Sequence, residues 1–213
     1  DLYECNVPYL KDLFSESVYP WDMLGKIKGL CAKLLEEGIE GFTEIETGIL
    51  VGRDVKIAPT ATIIPPAIIG HGTEIRPGAY LRGNVITGEN CVLGNSSEFK
   101  NCILLDKVQA PHYNYVGDSV LGNKAHMGAG SITSNVKSDK TLTTIKTPEG
   151  VIETGMKKVG AMLGDEVEVG CGSVLNPGTV VGRRSNIYPL SMVREFVPAN
   201  SIYKKRGEVV EKY

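Results

Sequence analysis

Nothing in the 213 residues marks a membrane, a secretory route or a polyanionic partner. There is no apolar run long enough to cross a bilayer and no basic-then-apolar leader segment, so the sequence predicts a soluble, cytoplasmic protein with no membrane partner. Acidic and basic residues nearly cancel, leaving a formal net charge of -2 with no block of one sign. Bulk electrostatics therefore recruits neither nucleic acid nor an anionic surface, and any anion binding has to be local. The five cysteines (Cys5, Cys31, Cys91, Cys102 and Cys171) form no C-x-x-C pair and are odd in number, the pattern of free thiols in a reducing compartment. No G-x-G-x-x-G loop precedes the central region, and no Ser or Cys sits in a G-x-S-x-G elbow, which argues against a nucleotide loop and a nucleophilic triad. Histidine is scarce. His71, His112 and His126 are separated by 41 and 14 residues, with no pair four or five apart, so a metal site is not expected.

What the chain does contain is a period of six. Val51, Ile57, Ile63, Ile69, Ile75, Leu81, Thr87, Leu93, Phe99 and Leu105 recur every six residues. A second register, four residues on, carries mostly small side chains: Val55, Ala61, Ala67, Thr73, Ala79, Val85, Cys91 and Ser97. Two inward positions per six residues suit neither a 3.6-residue helix nor an ordinary strand. They suit a coil of short strands joined by tight corners, about 18 residues per turn, each turn stacking on the next around a thin continuous core. Glycines often follow the large residue (Gly52, Gly70, Gly88, Gly94), where a corner is expected to need positive φ. The period resumes with Leu163, Val169, Leu175, Val181, Ile187 and Val193.

Three segments depart from it. Met23, Leu24, Ile27, Leu30, Cys31, Leu34 and Leu35 recur at three and four, predicting a helix capped at Asp22 and stopped at Gly38. It is expected to cover the end of the coil, and residues 1–48 read as this helical cap. Between 136 and 158 the rhythm fails, and TLTTIKT, PEG and VIETG alternate around a turn, predicting a hairpin excursion from a coil spanning 49–197. The tail, 198–213, is expected to leave the coil at Pro198.

The run Gln109 to Asn135, QAPHYNYVGDSVLGNKAHMGAGSITSN, concentrates two of the three histidines with tyrosine, asparagine and glycine. With metal and nucleophile disfavoured, His112 behind Pro111 is the candidate general base.

The segments RPGAYLRGN, GNSSEFKNC, APHYNYVGDSVLG, MGAGSITSN and TGMKKVGAMLGD resemble, in order from about 48 to 206, the carboxy-terminal acetyltransferase domain of the bifunctional glucosamine-1-phosphate acetyltransferase and UDP-N-acetylglucosamine pyrophosphorylase family, including its archaeal sugar-1-phosphate relatives. The resemblance implies an all-β left-handed parallel β-helix of hexapeptide repeats, assembled as a homotrimer with sites between subunits. It implies acetyl transfer from acetyl-CoA, without a metal, to the amine of a sugar phosphate, glucosamine 1-phosphate being the first choice. His112 would then take the amine proton, and the N–H of Ala129 in GAG would stabilise the oxyanion. Arg76 and Lys100 would hold the phosphate, while Tyr115 and Asn135 would contact the sugar. Cys171 and Arg206 would meet the coenzyme, Arg206 at a phosphate. His126 stands where the family has asparagine and would line the pocket. Lys140 and Lys146 are the nearest lysines to a position where relatives carry a substrate-binding lysine. The nucleotidyltransferase half has no counterpart in these residues, so pyrophosphorylase activity is not expected, and a separate nucleotidyltransferase chain is an expected partner. Other readings are an acyltransferase for another amino sugar or nucleotide sugar, and a non-enzymatic scaffold.

Overall fold

A computed structural model describes residues 2–194 and 196–212. The chain forms a left-handed parallel β-helix of about nine turns, with three strand faces joined by three columns of corners. The first face runs through Ile49–Val51, Ala67–Ile69 and Val85–Thr87 to the ends of Glu98–Leu104 and Tyr115–Leu121, then Ala161–Leu163, Thr179–Val181 and Phe196–Val197. Its register steps are 18, 18, 17, 17, 42, 18 and 16 residues. The 42-residue step is a normal coil plus the excursion, whose strands Thr144–Thr147 and Gly150–Glu153 pair antiparallel as the alternation predicted.

The large register fills the core up to Phe99, except that Ile57 in the first coil is 36 % exposed and Ile63 only partly buried. The next inward residue is Leu104, paired with Thr87 and Leu121, whereas Leu105 turns outward beneath the N-terminal segment. The slip arises because the corner between the third and first faces shrinks from two left-handed residues, Gly83 and Asn84, to one: Asn101 in one coil and Asp118 in the next. Loss of one residue per coil produces the two 17-residue steps.

Gly52, Gly70, Gly88 and Gly94 are not at positive φ. They are glycine because stacked coils leave no room for a side chain: a Cβ on Gly70 would lie 2.0 Å from Gly88 O, and one on Gly94 would lie 1.9 Å from Pro111. The left-handed corner positions come two residues later, as Asp54, Gly72, Asn90, Lys107 and Lys124, where short polar or flexible side chains tolerate that conformation.

The N-terminal residues lie along the flank of the coil, not over its end. Pro20–Gly25 forms a 3-10 turn in which Asp22 accepts the Tyr19 N–H, and the α-helix Ile27–Glu37 follows, ending at Gly38 with φ 73°. Trp21, Met23, Leu24, Ile27, Cys31 and Leu34 pack on the outer residues of the first face, Leu50, Ile68, Ile86, Ile103, Val120, Met162 and Val180. Polar anchors reinforce the contact: Tyr9 Oη donates to Thr87 O at 2.6 Å and Asn123 Nδ2 to Glu4 O at 2.7 Å. The reason is a strand face apolar on both sides, which has to be covered. The tail also stays with the coil beyond Pro198. Ser201–Lys205 is the last strand of the second face, with Tyr203 closing the core, and Glu208–Glu211 folds back on it. No described helix is long and apolar enough to cross a membrane.

Candidate active site

At the corner between the second and third faces, each coil places one residue just before a left-handed one. The left-handed positions are Gly78, Ser96, Tyr113, Gly130, Gly172 and Leu190. The residues ahead of them therefore stack: Pro77, Asn95, His112, Ala129, Cys171 and Pro189. Backbone bonds fix the column, with Gly130 N donating to His112 O at 3.0 Å, Gly172 N to Ala129 O at 2.9 Å and Leu190 N to Cys171 O at 2.9 Å. His112, Ala129 and Cys171 thus occupy consecutive coils, spaced by the strand separation of about 4.8 Å, and all three are exposed. The Ala129 N–H has no acceptor among the described residues, so it is available to a ligand.

The sequence offered no reason to single out Asn114, yet it holds this edge. It is buried; its Oδ1 accepts the His112 N–H at 3.0 Å, and its Nδ2 donates to Gly128 O at 2.9 Å and Ser131 O at 3.1 Å. One side chain thus ties the His112 corner to the Gly-Ala-Gly corner above it.

A second cluster occupies the far end of the third face. Asp118, 5 % exposed at its side chain, accepts from Lys100 Nζ at 3.1 Å, Asn101 Nδ2 at 2.9 Å and Asn135 Nδ2; Asn135 also donates to Tyr115 Oη at 3.2 Å. Burial, followed by the Asp118 charge, raises the Tyr115 pKa above its ordinary value. Asp118 was not foreseen. Its signal was its place as the sole left-handed residue of a shortened corner.

The structure brings the predicted residues together only in part. Lys100, Tyr115 and Asn135 share one cluster, but Lys100 is engaged by Asp118 and is not a free cation. Arg76 lies two coils below His112 and pairs with Glu74 at 3.2 Å. Lys100 stacks on Gly117, on the third face, around the Tyr113 corner from His112. His126 projects from the second face and bonds Glu168 Oε2 at 2.9 Å. Lys140 sits at an exposed turn with φ 56°, and Lys137 and Lys146 line the adjoining cleft instead. Cys171 and Arg206 line separate depressions. Cys171 shares its depression with His126, Gly128, Tyr188 and Pro189, and Arg206 shares its own with the excursion. His71 accepts the Arg53 N–H at 2.7 Å and packs on Phe42, a structural role. Among the described residues no group of His, Cys, Asp or Glu is arranged to hold a metal.

A hexapeptide coil with an exposed histidine on one corner column defines the class of left-handed β-helix proteins to which sugar acyltransferases belong. The family model of the GMPPB C-terminal domain matches residues 63–185, and the chain belongs to this family. A protein named bifunctional protein GlmU from Methanococcus vannielii is 32 % identical over 197 residues, covering 91 % of this chain and 47 % of that protein. A bifunctional sugar-1-phosphate nucleotidylyltransferase/acetyltransferase of Sulfurisphaera tokodaii is 29 % identical over 189 residues, covering 87 % and 47 %. The chain thus spans about half the length of the curated relatives it matches. In structure it is similar to AntD, an N-acyltransferase from Bacillus cereus solved with dTDP and 3-hydroxybutyryl-CoA, with TM-score 0.50, 20 % identity and coverage of 82 % and 92 %, a likeness of fold.

Proposed function

We propose that the chain transfers an acetyl group from acetyl-CoA to the amine of an amino-sugar phosphate, glucosamine 1-phosphate being the first choice. The observation that carries this reading is the exposed column His112, Ala129 and Cys171 on consecutive coils. His112 accepts a proton from the sugar amine as its lone pair attacks the thioester carbonyl. The negative charge then forming on the carbonyl oxygen is met by the free N–H of Ala129, fixed in place because its own carbonyl is tied to the next coil. The tetrahedral carbon collapses, the C–S bond breaks, and the thiolate leaves, taking up the proton His112 has carried. Cys171, one coil above Ala129, offers an exposed edge along which the coenzyme's pantetheine arm runs.

Tyr115, Asn135 and Lys100 are the sugar contacts of this reading. They lie on the third face, around the corner from His112, and in this reading a second copy completes the site. A homotrimer fits the surface: the first face is covered by the N-terminal segment, while the third presents Tyr80 and Met192, 39 % and 48 % exposed. The free cysteines fit a cytoplasmic setting. The His126–Glu168 pair, in place of a small amide, favours an alternative acceptor, another amino sugar or nucleotide sugar.

The test is thiol release from acetyl-CoA with glucosamine 1-phosphate and galactosamine 1-phosphate, compared between the native chain and His112→Ala. Loss of at least about a hundredfold in kcat is expected, the ordinary contribution of a general base. Unchanged turnover in the variant would remove His112 from the mechanism. Absence of thiol release with every amino sugar tried would leave a scaffold.

A further inference from the structure

Three parts of the chain that are far apart in sequence meet around one apolar depression of about 320 Å³. The N-terminal segment contributes Tyr19 and Trp21, the excursion Ile145 and Ile152, and the coil Val180 and Phe196. Trp21, Ile145 and Val180 are buried in one packed cluster with Ile152 and Phe196 against it, yet a hollow remains where they meet. The excursion builds one of its walls. Strand Thr144–Thr147 alternates, so Ile145 and Thr147 face the depression while Thr144 and Lys146 line the cleft on the strand's other side. The partner strand sets Ile152 directly opposite Ile145.

A second wall is aromatic. Tyr19 and Trp21 stack with ring centroids 4.7 Å apart and planes 8° from parallel, Trp21 almost fully buried and Tyr19 41 % exposed. Flat rings of this kind are complemented by another flat ring. The polar side chains beside these aromatic residues are Thr147 and Arg183. Thr147 donates its hydroxyl to Gly150 O at 3.2 Å, within its own hairpin. Arg183 donates from a terminal nitrogen to Asp165 Oδ2 at 3.0 Å and lies 4.0 Å from Glu4 Oε2, but its Nε is buried and finds no acceptor among the described residues. A buried guanidinium N–H without an acceptor is uncommon in folded proteins. Two carboxylates already balance the charge of Arg183, so the missing acceptor belongs to a neutral group. Size narrows the choice further, because an apolar cavity of about 150 Å³ holds a single benzene ring. About twice that volume leaves room for two fused rings.

We propose that this depression is a binding site for a neutral, flat molecule of two fused rings carrying one hydrogen-bond acceptor, with its rings against Tyr19 and Trp21 and its acceptor toward Arg183. The site shares no residue with the His112 column and does not depend on the chain transferring an acetyl group.

Trp21 is the only tryptophan of the chain, so its emission reports on this site alone. The experiment is titration of the full chain with coumarin, two fused rings bearing a lactone carbonyl, and with naphthalene, similar in size but without an acceptor. Trp21 emission is followed under selective excitation and corrected against free N-acetyltryptophanamide. Both compounds should change the emission saturably, coumarin with at least about tenfold higher affinity, the ordinary contribution of a hydrogen bond to a charged donor. Ile152→Phe, which fills the depression, should weaken both at least about tenfold. Val151→Phe, a similar addition on the other side of that strand where the residue is 63 % exposed, should bind as the native chain does. Arg183→Lys keeps a cation beside Asp165 but lacks Nε, and it should bring coumarin down to the affinity of naphthalene. Circular dichroism confirms that each variant is folded, and Arg183→Lys carries the test if Ile152→Phe does not fold. No saturable change with either compound, or equal binding by native and folded Ile152→Phe chains, overturns the site. Naphthalene binding the native chain as tightly as coumarin, or coumarin binding unaltered in Arg183→Lys, overturns the role of Arg183. None of these results bears on whether His112 supports thiol release.

Discussion

Replacing Asp118 with asparagine probes the buried cluster at the end of the third face directly. The carboxylate receives three donors: Lys100 at 3.1 Å, Asn101 at 2.9 Å and Asn135. An amide of the same shape turns one accepting oxygen into a donor, which then confronts the Asn101 or the Asn135 amide. Loss of a charged hydrogen bond costs about 1.5–3 kcal/mol, and a buried donor left unpaired about 1–3 more. Lys100 also loses its counter-charge with only a quarter of its side chain exposed. The expected total is about 3–5 kcal/mol, the range for breaking a buried pair. For a domain of this size each kcal/mol lowers the midpoint by about 2–4 °C, so thermal unfolding followed by circular dichroism should shift down by roughly 6–20 °C. Lys100→Met/Asp118→Asn should be less unstable than the two single variants combined, with a coupling of about 1–3 kcal/mol. A midpoint for Asp118→Asn within about 2 °C of native, or strict additivity in the double variant, would refute the assignment of Asp118 as the anchor of this cluster.

Asn114→Ala removes the tie between the His112 and Gly-Ala-Gly corners. It should cost about 2–4 kcal/mol in urea unfolding and lower acetyl transfer with it, whereas full activity would detach Asn114 from the site. Gly94→Ala should be far more damaging than Gly155→Ala, because the first Cβ would lie 1.9 Å from Pro111 while the second, at φ 70°, meets nothing within 4 Å. The expected costs are more than about 3 kcal/mol against about 1, ranked by midpoint. Maleimide at neutral pH, read by mass spectrometry, should label exposed Cys171 first. Cys5 follows slowly because burial pushes its thiol to about 11, and Cys31 and Cys91, pushed to about 12, are protected. Because these folded-state values are raised above the ordinary 9, the thiols' contribution to stability is complete below pH 9. It declines as pH rises through 11 to 12, where an alkaline titration should show unfolding; a flat profile across that window contradicts the burial.

The coil was legible because its period is local. Each residue of the large register needs only to be apolar and six places from the next, and Leu163 to Val193 fall in the core as counted. The excursion and the helix stop at Gly38 were equally plain, since alternation and a residue free to adopt positive φ are local signals. The flank wrapping by the N-terminal segment was less visible, although runs such as Ile49-Leu50-Val51 and Ala67-Ile68-Ile69 carry its mark. Three apolar residues in succession describe a strand buried on both faces.

What only the tertiary structure decided follows from accumulated register. A single residue missing from the corners at Asn101 and Asp118 moves Leu105 out of the core and places Asp118 between Lys100 and Asn135, which six-residue counting cannot show. Likewise, His112, Ala129 and Cys171 are 17 and 42 residues apart in sequence, an irregular spacing that becomes one straight edge because the 24 additional residues leave the coil and return to it. By itself the sequence determined the repeat and the histidine on it, since both depend on near neighbours along the chain. The partners of that histidine depended on which coils the chain stacks after each interruption.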